Sequence, residues 1–413
     1  LTFARPHGEH FYVRDNVASG SATITVGGNI TISVTSTTGH QLIIGGAGTD
    51  RFDVDIRGNF SMSTASTETY WQVNTNFIGT DNQTITYNSG HIDYGTWSVA
   101  KQAGIVTMAT NLTLPATLYI SSGTLFVNGK TLVVTGAFSN DGTLSLIGTE
   151  TLTFTKDTNS GTVEYVGSGS DSYSSLIYGN SYYNLKINST TGTNTFSPNG
   201  TLTVGGDLII ARGIFDLGTR NLALTGSFSN DSTFKLIGSQ TITGAVSDVD
   251  SGTVEYYGAG AYASLAGGNT FYNLLISGTG TYKINGALIV NGNLTISSTG
   301  VLDLNGYNLT LAPASVFSNA GTVKMIGTEI LTNFVNDTDS GTIEYTGSES
   351  YTGLIAGTNY NNLQFSGTGD YTLTSSINMA GNLNFIGAAG AYITDIFLTS
   401  GTFTTARDLT VEV

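Results

Sequence analysis

The chain has no cysteine, only four prolines, and charged residues at 10% of its 413 positions. Without cysteine there is no disulfide, no thiolate metal site and no thiol nucleophile, although the count is neutral about compartment. No apolar run approaches the roughly 18 residues that a membrane-crossing helix needs, so no membrane span is expected. Lysine and arginine number 14 against 29 aspartates and glutamates, a formal net charge of −15. Phosphate binding depends on clustered cations, and this balance argues against a nucleic-acid partner. The chain opens at Leu1 rather than methionine, which suggests a processed or trimmed N-terminus whose signal peptide would no longer be visible.

What is present points to β-structure. There are 54 glycines, 21 tyrosines and 19 phenylalanines, and 39% of residues are hydrophobic. Threonine, serine and asparagine fill most polar positions, so strand formers and turn formers dominate. Enough apolar surface is available to bury that a disordered linker is excluded. From Ser21 onward, short alternating runs are broken by glycine. Between Arg51 and Arg57, for instance, Phe52, Val54 and Ile56 share one side while Asp53 and Asp55 share the other, the period of a half-buried strand.

The chain repeats itself. The stretch from Ser139 to Gly169 returns from Ser229 and again from Ser318, and Gly161, Gly252 and Gly341 open the motif Gly-Thr-(Val/Ile)-Glu-Tyr. Asn184, Asn273 and Asn362 mark the same copies at 89-residue intervals. Residues 1–20 differ in composition and read as a tail, cap or docking strand; 21–110 form an N-terminal β-solenoid or capping region; 111–413 are the repetitive part. The expected fold is all-β, a parallel β-helix (β-solenoid) rod built from super-repeats of roughly 90 residues, each holding several coils of roughly 20. At about 4.8 Å per coil, roughly 20 coils give a length on the order of 100 Å. The alternative is a string of immunoglobulin-like sandwiches of about 90–100 residues. Uneven strand spacing, no strand-C tryptophan and no linker-like breaks in composition speak against it.

Two recurring motifs are candidate sites. Asp157 and Asn159, Asp248 and Asp250, and Asp337 and Asp339 each stand two residues apart before a glycine. Such pairs resemble the first half of a calcium loop, so calcium is the one cofactor to consider. No bidentate glutamate follows, and an Asx turn with glycine at positive φ is the preferred reading. The second motif is a tyrosine-rich excursion from Tyr173, Tyr262 and Tyr351. It either protrudes to contact glycans or protein partners or folds back over a sheet, and folding back is preferred.

Asn-x-Ser/Thr triplets occur at Asn29, Asn59, Asn82, Asn111, Asn188, Asn199, Asn230, Asn293, Asn308 and Asn336. They are glycosylation acceptors only in a cell that modifies its surface proteins; asparagine at a solenoid turn more often stacks as a ladder. Asp50, Arg51, Asp53, Asp55 and Arg57 come nearest to the two-carboxylate arrangement of polysaccharide-cleaving enzymes, but opposite charges along a strand more simply pair with each other. His7, His10, His40 and His91 lack metal-ligand spacing. No catalytic residue is assigned and the chain is expected not to be an enzyme.

The runs Gly292 to Leu294, Asp303 to Gly306, Ser318 to Thr322 and Gly341 to Tyr345 resemble the long secreted β-strand-repeat surface proteins of bacteria, similar to filamentous-haemagglutinin-like and autotransporter-passenger solenoids. The resemblance covers about residues 110–413 and implies display at the cell surface or outside the cell, with adhesion or fibre formation. The last strand, with Leu409, Val411 and Val413, carries no polar cap. The N-terminal segment, with Phe3, Phe11, Tyr12 and Val13, is expected to add to it as a strand, joining copies head to tail into a homopolymer. The leading expectation is therefore a structural subunit of an extracellular filament or surface layer. An adhesin binding surface glycans, and more distantly a polysaccharide-degrading enzyme working through Asp53 or Asp55, are the alternatives.

Overall fold

The computed structural model describes residues 2–5, 11–13, 22–35, 42–45, 52–66, 68–244, 247–387, 396–398 and 401–412. Every regular element among them is a β-strand and no helix occurs. Parallel strands stack in register into a β-solenoid of about 16 turns. The turns fall in two compact units, one comprising 1–199 with 203–209, the other 200–202 with 210–413.

The first unit opens with large turns. Thr2–Arg5 pairs with Ile30–Val34, which pairs with Phe60–Thr64, so Thr2, Thr31 and Ser61 stack 29 and 30 residues apart. In the repetitive region the step is about 20 residues, as in Thr322 to Thr342 to Asn362. The chain holds about 16 coils rather than the roughly 20 expected, and these wide early turns are part of the difference. Thr2–Arg5 and Phe11–Val13 are not a free arm; both lie in parallel register, the second on Leu42–Gly45. The alternation expected for Phe52, Val54 and Ile56 is realised, with all three buried.

In the second unit each coil has three sides. One long sheet runs from Ala261–Tyr262 through Thr281–Lys283, Val301–Asp303, Thr322–Met325, Thr342–Tyr345, Asn362–Phe365 and Leu383–Ile386 to Leu409–Glu412. Another contains Thr253–Tyr256, Asn273–Ile276 and Leu294–Ile296 and stops at Phe317–Asn319; a third begins at Thr270–Phe271 and stops at Leu331–Thr332. Inward residues form columns such as Tyr282, Leu302, Val323, Ile343 and Leu363, at most 2% exposed. Each buried side chain contributes about 1.5–3 kcal/mol. On the outer face the columns pair charges across neighbouring strands, Lys283 with Asp303 at 3.3 Å and Lys324 with Glu344 at 3.0 Å; such half-exposed pairs contribute about 0.2–1 kcal/mol each.

The repeat and the coil do not share a period. From Ala261–Tyr262 to its counterpart Ser350–Thr352 the chain passes twelve strands and one strandless turn at 337–341. Thirteen stops on a three-sided coil make four circuits and one side over. Ser350–Thr352 therefore opens a new sheet instead of extending the one its counterpart opened. At the strandless turn two sheets have ended and two have yet to begin, and among the described strands the one sheet crossing is that which carries Thr322–Met325 onto Thr342–Tyr345. We call this boundary the seam.

Candidate functional site

The residues common to the three copies gather at the seams. Asp337 Oδ2 accepts the N–H of Asn319 on the preceding coil at 2.8 Å, and its Oδ1 accepts the N–H of Asp339 at 3.2 Å. Asp157 does the same with Asn140 and Asn159, and Asp248 with Asn230 and Asp250. Asp157, Asp248 and Asp337 thus act as Asx-turn acceptors that reach back one coil, taking the place of the missing strand. Gly161, Gly252 and Gly341 follow at φ 64°, 66° and 66°. Asn140, Asn230 and Asn319, each 1% exposed, send Nδ2 forward across the seam to the carbonyls of Thr162, Thr253 and Thr342.

The pairing tunes the carboxylates. Burial works against the charge on Asp337, but the N–H of Asn319 and the hydrogen bonds from Asp339 and Ser340 outweigh it and hold the carboxyl below its ordinary 3.8. Asp339 is pushed the other way by the hydrogen bond it shares with Asp337 and by that neighbour's charge. Asp248 and Asp250 behave alike. Among the described residues no three histidines, cysteines or acids gather in a metal-holding group.

The tyrosine excursions fold inward. Tyr165 is fully buried; its hydroxyl accepts the N–H of Tyr178 at 3.0 Å and lies 3.1 Å from the Tyr182 hydroxyl. Tyr182 donates to the carbonyl of Gly179, so the proton between the two phenols belongs to Tyr165. Tyr345 repeats the arrangement with the N–H of Ala356 and with Tyr360, and Tyr256 with the N–H of Gly267. Burial pushes all three phenols well above the usual tyrosine range. Tyr173, Tyr262 and Tyr351 stack on Phe196, Tyr282 and Tyr371, each with ring centres 4.8 Å apart.

Sequence reasoning missed the glutamate of the seam. Glu150, 6% exposed, accepts four backbone N–H groups, from Gly129, Ile147, Gly148 and Thr149. Glu329 takes three, from Gly306, Ile326 and Gly327. The second copy has Gln240, which accepts from Gly238 and donates to Gly218. The recurrence of Glu, Gln and Glu ahead of each Asx turn was the available signal. Lys101 was also missed: only 2% exposed, its Nζ donates to the Asp81 carbonyl and to Gln83 Oε1, both at 2.7 Å.

The Asn-x-Ser/Thr triplets have a structural explanation. Asn29, Asn59, Asn82, Asn111, Asn293 and Asn308 each accept, through Oδ1, a backbone N–H from the next coil. The next residue points inward and the Thr or Ser after it points outward, so a corner followed by a strand writes the triplet by itself. Asn184, Asn273 and Asn362, outside any triplet, do the same. Asn188, Asn199 and Asn336 use Nδ2 on Glu164, Ser175 and the Asn359 carbonyl, and Asn230 is buried.

The remaining candidates are scattered. Asp53 and Asp55 accept from Asn74 and Asn76 of the next coil, at 2.8 and 2.9 Å. Arg57 follows the last residue of that strand, Ile56, while Asp50 and Arg51 lie outside the described residues. His91 stacks on Tyr70 at 4.9 Å; His7, His10 and His40 lie outside the described residues. Phe3 belongs to the first strand, and Phe11, Tyr12 and Val13 to the second. Leu409 and Val411 sit in the strand paired with Leu383–Ile386, and Leu409 is 61% exposed. Val413 lies outside the described residues. No family model, curated protein or solved structure matches the chain.

Proposed function

We propose that the chain is a non-enzymatic structural segment of an extracellular filament or surface layer, of the kind built by secreted bacterial β-strand-repeat proteins. The observation that carries this reading is what the copies have in common. Asn319, Asp337, Gly341 and their counterparts bond one coil to another, and Tyr345 braces the turn of its own coil, so what recurs is stacking geometry rather than reactive chemistry.

Assembly by strand addition follows from the ladder. Leu409–Glu412 is the terminal strand of its sheet and Thr2–Arg5 of another, and an unpaired parallel edge accepts a further strand. In a longer polypeptide the next coil of the same chain would take that place. Negative-stain microscopy of the purified chain tests the reading: fibres are expected, and isolated particles across the whole concentration range would refute assembly. A glycan-binding surface is the second reading, favoured by the Tyr70–His91 stack and by Tyr94, 45% exposed. Retention on a glycan array that is lost in Tyr94→Ala would support it.

A further inference from the structure

The seam leaves a sheet edge open inside the second unit. Phe317–Asn319 is the last strand of its sheet, and no described strand pairs with its far side. Backbone groups alternate in direction along a strand. The carbonyl of Val316 and the N–H of Ala320 bond the preceding coil. The N–H and carbonyl of Asn319 point the opposite way, to Asp337 and to the Ser340 hydroxyl. By the same alternation, the N–H and carbonyl of Phe317 are directed to the far side with those of Asn319.

A groove of about 510 Å³ opens there, lined by residues 315–318 and 335–339. Two valines flank it, Val316 at 59% and Val335 at 78% exposure. The other copies provide an internal control. Val316 stands where they have Ala137 and Ser227, and Val335 where the first copy has Thr155 and the second Val246. Two apolar side chains so exposed side by side, Val316 at a position where the other copies hold small residues, mark a contact surface. The rim carries the carboxylates of Asp337 and Asp339.

We propose that this groove docks an extended peptide segment of a partner protein, with apolar side chains flanked by lysine or arginine. Its backbone pairs with the N–H and carbonyl of Phe317, its apolar side chains seat between Val316 and Val335, and its cation meets Asp337 and Asp339. The same carboxylates, on a chain of net charge −15, disfavour a second copy as the occupant. Docking uses a lateral edge, so it is independent of whether the coils also assemble end to end.

A dye-labelled, capped Lys-Thr-Val-Thr-Val-Lys peptide is the probe, titrated by fluorescence anisotropy, with Glu-Thr-Val-Thr-Val-Glu as its charge-reversed control. Saturable binding is expected, weaker by about tenfold or more for the control peptide and for Val335→Asp or Val316→Asp. Both valines are exposed, and circular dichroism reports whether the variants remain folded. Hydrogen exchange should show new protection at Phe317 on binding. Absence of binding, equal affinity in both variants, or protection confined to another strand would overturn the proposal. Concentration-dependent dimerisation abolished by Val335→Asp would overturn it in favour of a second copy.

Discussion

At Gly341 one added carbon does damage on two counts. Its φ is 66° and a Cβ there would lie 2.1 Å from the carbonyl oxygen of Asn319. Gly341→Ala therefore combines positive-φ strain with a backbone clash, and a loss of about 2–3 kcal/mol is expected in chemical unfolding of the second unit. Glycine before Thr-Ile-Glu-Tyr was readable as a turn; its closeness to Asn319, 22 residues earlier, was not, because no local rule fixes which residue a turn reaches back to. The carboxylates of the same turn give a pH dependence. The carboxyl of Asp337 is held below its ordinary 3.8, so its contribution is present above that value and lost as pH falls through the depressed one. Asp339, shifted upward, protonates first and relieves the repulsion beside it. Thermal melts should thus show no acid loss from this turn until the pH falls below the ordinary 3.8, and Asp337→Asn should shrink the difference between neutral and acid pH.

At the scale of the element, the seam replaces a ladder of backbone hydrogen bonds by side chains. Glu150 is the clearest case, because the chain contains its own variant in Gln240. Glu150→Gln should cost about 1 kcal/mol, since an amide oxygen keeps part of the nest and its Nε2 hydrogens need a carbonyl such as the one Gln240 finds on Gly218. Glu150→Ala leaves four N–H groups without an acceptor, and about 3 kcal/mol or more is expected in urea unfolding. The alternation of strands was legible from sequence because a period of two needs only neighbouring residues. The asparagine corners were legible as ladders in kind. The burial of the tyrosine excursions rests on partners such as Tyr345 and Ala356, which no periodicity pairs in advance.

For the whole molecule, stability should vary along the stack rather than being uniform. Between the seams of the second unit two or three described sheets tie each coil to the next, but at the 337–341 turn, as at its counterpart 248–252, a single one crosses. Native-state hydrogen exchange should find the boundary of a cooperative unit there, with protection changing between Leu331–Thr332 and Ser350–Thr352. Equal opening free energies on both sides and across the turn would contradict this. The 89-residue spacing was plain in the sequence, but its division into thirteen stops was not, because the stop at 337–341 has no strand and carries no strand pattern.

That odd stop constrains how such a gene can grow. Duplicating one repeat preserves every seam, yet it shifts all outward side chains beyond it to the neighbouring side. Only additions in multiples of three repeats restore the original facing, so a lineage that lengthens this protein while keeping a partner on one side would be expected to count in threes.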